Sequence, residues 1–165
     1  MTTRFIGIDS GINHPAIAVI GEGSELLLVD KCKVDLKSSI QDKLRQISNY
    51  FQLLSSKIYT VNTQFICAIE LPQWQDSIRG QKCIERNDFV KLCVSVGTIF
   101  SSLIHFDHID KIDLVPPIEW KGQVPKRITR NRLVEVYGLP AISELSDDEV
   151  DALGIARYVQ MKYAN

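Results

Sequence analysis

The sequence predicts an α/β fold with a five-stranded mixed sheet flanked by helices. Three observations predict it. Three strand-like runs come first, joined by short turns. Strands and helices then alternate, a combination that gives antiparallel and parallel pairs with helices on the sheet faces. Finally, 165 residues with a hydrophobic fraction of 45% and a charged fraction of 24% suit one globular domain over residues 1–165.

Each element has its own signal. Arg4–Asp9 is a short apolar run, and Pro15–Ile20 and Glu25–Val34 are two further strand candidates. The Gly21-Glu22-Gly23-Ser24 turn between them suits a hairpin. Ile40, Leu44, Ile47, Phe51, Leu54 and Ile58 recur at helical spacing and predict an amphipathic helix. Gln64–Glu70 reads as a buried strand. After a polar loop, Phe89, Leu92, Cys93, Val96, Ile99, Phe100 and Leu103 mark a second, very apolar helix. Ile112–Val115 is a strand closed by Pro116-Pro117. A basic helix is expected from about Lys126 to Tyr137 and a last helix from about Asp147 to Tyr163.

Composition narrows the function classes. No stretch approaches the ~18 apolar residues of a membrane span, and Met1-Thr2-Thr3-Arg4-Phe5 runs straight into a strand, leaving no room for a signal peptide. Cys32, Cys67, Cys83 and Cys93 form no C-x-x-C pair, and three of them lie in or beside apolar runs as small core residues do. A reduced, cytoplasmic protein is expected. The net charge of −1 does not by itself suggest nucleic acid; its distribution is more informative. Lys121, Lys126, Arg127, Arg130 and Arg132 follow one another with no acid between them, a stretch able to form a local phosphate-binding surface.

The acids are placed unlike those of an ordinary core. Strand alternation puts Phe5, Gly7 and Asp9 on one face, and Ile66, Ala68 and Glu70 on one face of their strand. Each strand thus ends in a carboxylate preceded on that face by a small residue, which lets a helix approach closely. In the last helix, Asp148, Asp151, Ile155 and Val159 follow one stripe, so acids occupy the leading end of its inward face. Gathering four carboxylates costs several kcal/mol each unless they are paired or metal-bound. An all-oxygen set suits Mg²⁺, with Mn²⁺ able to substitute, better than Zn²⁺. Two such ions per site can activate water and stabilise the leaving oxygen in phosphodiester cleavage. Singly, the acids have plainer readings: Asp147 and Asp148 as helix-start residues, Asp9 as a turn residue, Glu70 as a lysine partner.

Three of these segments resemble the RuvC family of Holliday-junction resolvases, in the RNase H-like superfamily. Phe5-Ile6-Gly7-Ile8-Asp9-Ser10-Gly11 resembles its first-strand G-I-D-P-G motif, with Ser10 in place of proline. Ala68-Ile69-Glu70 resembles its A-I-E strand. Asp148-Glu149-Val150-Asp151-Ala152-Leu153-Gly154-Ile155-Ala156 resembles its D-x-x-D-A-L-A-I-A helix, the most specific of the three. The motifs stand in family order across nearly the whole chain.

The resemblance implies an RNase H-like fold and a bacterial or phage-encoded homodimer cutting opposed strands of a four-way DNA junction. It implies that Asp9, Glu70, Asp148 and Asp151 bind the catalytic metals. Asp147 is the alternative to Asp148, because it also shares a face with Asp151. Lysines after the fifth strand contact the scissile phosphate in the family, which makes Lys121 and Lys126 candidates, with Arg127 and Arg130 as further DNA contacts. The family places an aromatic residue shortly after its second acid to stack on bases. Here Gln73 takes that place and Trp74 follows; the tryptophan is either a stacking residue or a loop anchor. His14 is near Asp9 in sequence and is weak evidence for a further site residue.

Acidic metal sites do not encode substrate choice. An RNase H-like nuclease acting on RNA–DNA hybrid, flaps or other branched nucleic acid is the competing enzyme, and a non-catalytic junction-binding module the competing non-enzyme. The second helix, carrying Phe89, Val90, Cys93, Val94, Val96, Gly97, Phe100 and Ser101, is too apolar around its circumference for a one-sided surface helix. In the resembled family this helix contributes to the dimer interface, which makes it the expected dimer surface.

Overall fold

The computed structural model describes residues 1–58, 61–73 and 87–164. Five strands, β1 (Thr2–Asp9), β2 (Ala16–Gly21), β3 (Leu26–Lys31), β4 (Thr63–Glu70) and β5 (Ile109–Val115), form one sheet in the order β3-β2-β1-β4-β5. The β1–β2 and β2–β3 pairs are antiparallel, as the short turns require. The β1–β4 and β4–β5 pairs are parallel, as the helical crossovers require. The helices are α1 (Ile40–Ile58), α2 (Asp88–Leu103), α3 (Pro117–Trp120), α4 (Lys126–Tyr137), α5 (Leu139–Ser143) and α6 (Asp147–Tyr163). No helix among the described residues is long and apolar enough to cross a membrane.

Strand alternation divides the core into two layers. Ile6, Ile8, Ile17, Val19, Cys67 and Ile69 pack against α1 and α2 on one face. Phe5, Ala18, Ile20 and Ala68 pack against α6 on the other, with α4 and α5 behind it. The second face works because its strand residues are small. A Cβ on Gly7 would lie 2.1 Å from the Ala156 nitrogen and 2.2 Å from the Ala152 carbonyl oxygen. Helix and strand backbones touch there, as the small residues before the acids predict.

Several details differ from expectation. β1 starts two residues early and β5 three residues early, because Thr2 and Ile109 find ladder partners that hydropathy does not signal. β3 is shorter than Glu25–Val34, since its pairing with β2 ends at Lys31. The short helices α3 and α5 carry no periodic signal in the sequence; each begins around a proline whose missing N–H costs nothing in a first turn. Helix α6 is not one-sided: every residue from Val150 to Ala156 is buried, because α4 covers the side away from the sheet. Cys32 and Cys67 are core residues as expected, but Cys93 is exposed on α2. Cys83 lies outside the described residues.

Candidate active site

The site forms where β1 and β4 end together. Their parallel register pairs Gly7 with Ala68 and Ile8 with Ile69, so the next step along each strand presents Asp9 and Glu70 side by side. The Ser10 hydroxyl donates to the Glu70 carbonyl at 2.8 Å and is buried, tying the two strand ends together. The position that departs from the family's proline thus makes a cross-strand bond. The turn leaves the site through Gly11, whose N–H donates to Asp9 Oδ1 at 3.2 Å.

Helix α6 brings the other two acids. Ser146 caps it: its hydroxyl accepts from the Glu149 N–H, and the Glu149 carboxylate accepts from the Ser146 N–H at 2.8 Å. Capping therefore falls to Ser146 and Glu149, leaving Asp148 and Asp151 for other work. Burial, reinforced by the charges of Glu70, Asp148 and Asp151, pushes the Asp9 carboxyl up to about 8. Burial also raises Glu70, partly offset by Lys121 and Trp120. Asp151 is only 5% exposed, and its Oδ1 is buried without a hydrogen-bond partner.

The two predicted lysines stand among these acids. Lys121 Nζ lies 3.5 Å from Asp151 Oδ2 and 3.7 Å from Glu70 Oε2. Lys126 Nζ lies 3.3 Å from Asp151 Oδ2 and 4.0 Å from Asp147 Oδ2. Among the described residues, no three His, Cys, Asp or Glu side chains close a metal shell by themselves. Ammonium groups share the carboxylates instead.

The remaining sequence candidates separate by place. Asp147 is turned toward Arg130, at 3.2 Å, and Lys126, whereas the charge of Asp148 acts on Asp9. Arg130 also donates to the carbonyls of Ile142 and Leu145 at 2.9 and 3.0 Å. Its guanidinium fastens α4 to the start of α6, an internal role that the charge pattern concealed. Arg127 is exposed, as is His14. Gln73 is exposed and, with Lys121, Gly122 and Gln123, lines an open cleft of about 570 Å³. Trp74 lies outside the described residues.

Two residues escaped sequence reading. Trp120 donates its indole N–H to Glu70 Oε2 at 2.7 Å. Gln160, 2% exposed, donates to the carbonyls of Gly21 and Glu22 at 2.9 and 2.8 Å, holding the β2–β3 turn onto α6. A lone tryptophan beside a basic stretch and a glutamine in a helix carry no pattern that flags either bond.

No protein-family model and no curated protein sequence matches the chain. Solved structures do. The Thermus thermophilus RuvC structure matches with a TM-score of 0.67 and 17% identity, over 96% of this chain and 92% of that one. T. thermophilus RuvC in complex with a Holliday junction substrate matches with a TM-score of 0.70 and 16% identity, over 99% and 98%. The chain shares the fold of these RuvC structures, a five-stranded mixed sheet flanked by helices.

Proposed function

We propose that this protein is a metal-dependent endonuclease that cleaves four-way DNA junctions, working as a homodimer that makes paired cuts. The observation that carries the proposal is the convergence of Asp9, Glu70 and Asp151, with Asp148 beside them, at one sheet end where Lys121 and Lys126 meet the same carboxylates. An oxygen-preferring divalent cation fits these residues: the donors are all carboxylates, one of them has an orphaned buried oxygen, and crowding disfavours ionisation of Asp9. Asp9, Glu70, Asp148 and Asp151 would hold two Mg²⁺ ions, with Mn²⁺ as a substitute. When bound, such ions supply water activation and stabilisation of the leaving oxygen.

The chain's own groups do the positioning. Lys121, half-enclosed between Glu70 and Asp151, is placed to meet charge developing at the scissile phosphate. Lys126 begins α4, where the helix N-terminus adds to its attraction for phosphate. Arg127 extends that basic edge, and Gln73 with Trp74 would meet bases next to the cut. A junction substrate is favoured over a hybrid by the fold shared with a RuvC that was solved on a Holliday junction. Paired cutting is supported by α2, whose outer stripe Val90, Cys93, Val94, Gly97 and Ser101 is apolar or small and is left exposed by the described residues.

Incubation with a four-way junction, a linear duplex and an RNA–DNA hybrid in Mg²⁺ tests the reading. Symmetrical nicking of the junction alone is the expected result. Preferential hybrid cleavage would mean an RNase H-type nuclease, and tight junction binding without cutting a non-catalytic module.

A further inference from the structure

We propose that Trp120 is a positioning residue that sets the orientation of the Glu70 carboxylate and locks it to the helix carrying Asp151. The inference rests on the reading of Glu70 and Asp151 as cation-holding acids. Tryptophan has one polar atom, a donor, and a partly buried indole N–H needs an acceptor. Here that acceptor is Glu70 Oε2, at 2.7 Å and fifty residues away in sequence. Lys121 Nζ approaches the same oxygen at 3.7 Å, and lies 4.5 Å from the centroid of the Trp120 ring. Both donors thus act on the same oxygen, Oε2, and fix the plane of the Glu70 carboxylate from one side.

The far edge of the ring rests on α6. A Cβ built on Gly154 would lie 2.5 Å from Trp120 Cζ3 and 3.2 Å from Cε3, so the ring sits where any larger residue of α6 would stand. Gly154 is one helical turn beyond Asp151 and shares its face. One side chain therefore spans from Glu70 at the end of β4 to α6 directly behind Asp151. It stands on the short helix α3, whose turn is closed by the Lys121 N–H donating to the Pro117 carbonyl at 3.0 Å. A Glu70 freed from this bond would sample other rotamers, and partners that orient a metal-binding carboxylate are commonly worth about 10-fold or more in metal affinity.

Mn²⁺ binding to the DNA-free protein, measured by loss of the free-ion paramagnetic resonance signal, tests the assignment. Trp120→Phe keeps the ring and removes the donor, and should weaken Mn²⁺ binding by about 10-fold with the circular dichroism spectrum unchanged. In a Glu70→Gln background the same change should have less than about a two-fold effect, because the route through Glu70 is already cut. An equal loss in both backgrounds, or none in the wild-type background, would overturn the proposal. A second measurement does not depend on that variant folding. With Trp74→Phe, Trp120 is the only tryptophan, and Mn²⁺ should quench its fluorescence saturably; absence of quenching at saturating Mn²⁺ overturns the proposal too. A wild type that binds no Mn²⁺ would sink this assignment together with the metal reading of the acids. A wild type that shows these couplings yet cuts no nucleic acid would sink the nuclease reading and leave the role of Trp120 standing.

Discussion

Asp151 is touched by two lysines, is almost fully buried and still keeps one oxygen unpaired. Replacing it with asparagine removes charge without removing volume. Asp151→Asn should abolish cleavage while junction binding is kept or tightened, since a repulsive charge leaves the phosphate path. Cleavage within about 10-fold of wild type at saturating Mg²⁺ would refute its assignment as a ligand. The lysines should divide. Lys121→Ala is expected to lower the single-turnover rate more than it lowers affinity, because Lys121 bridges two of the acids. Lys126, whose side chain is 55% exposed, should mainly lower affinity and reduce the salt slope by about one. Rates and binding constants for both variants, measured across salt concentrations, decide it. The approach of Asp9 and Glu70 to Asp151 was legible because strand ends and helix stripes follow fixed periods. Arg130 was not: a cation in a basic run looks the same whether it meets phosphate or, as here, the carbonyls of Ile142 and Leu145.

Helix α6 is the element on which the site depends, and its contact with β1 is a contact between backbones. Gly7→Ala places a Cβ about where Ala156 N and Ala152 O already are. Since neither is a flexible side-chain end, strand and helix must part, at a cost of about 3 kcal/mol. Urea unfolding should show that loss, and a variant as stable as wild type would mean that α6 rides higher on the sheet. The pairing of small residues with the acids made this approach readable from sequence. That α6 is enclosed on both sides was hidden, because Ala152, Gly154 and Ala156 report close packing without saying against what. Helix α2 carries a different prediction. Val94, 43% exposed on its outer stripe, should be central to self-association. Val94→Asp would set like charges across a two-fold axis, and sedimentation should show a dimer becoming a monomer. A wild type that is monomeric at micromolar concentration, with and without DNA, would remove the basis for paired cutting.

For the molecule as a whole, the acid cluster links stability to pH and to cations. Asp9 has a carboxyl pushed up to about 8 in the folded protein, against 3.8 as its ordinary value. Between those two values the folded state holds a proton that the unfolded chain releases, so the Asp9 contribution is greatest at the acidic end and disappears as pH rises through 8. In chelator, the thermal midpoint should fall between pH 6 and 8.5, and Mg²⁺ should restore more of it at pH 8 than at pH 6. A midpoint that rises with pH in chelator would contradict the crowding of these carboxylates. The order of segments has a further consequence. Asp9 belongs to the first strand, Glu70 to the middle of the chain, and Asp148 and Asp151 to the last helix. A ribosome delivers these from first to last at about 5–20 residues per second. The N-terminal strand therefore waits, with one face uncovered, until the final helix arrives to cover it, and a chain still being translated carries an incomplete set of acids. A nuclease of the proposed kind would thus stay inactive in every unfinished copy, held back by chain order alone.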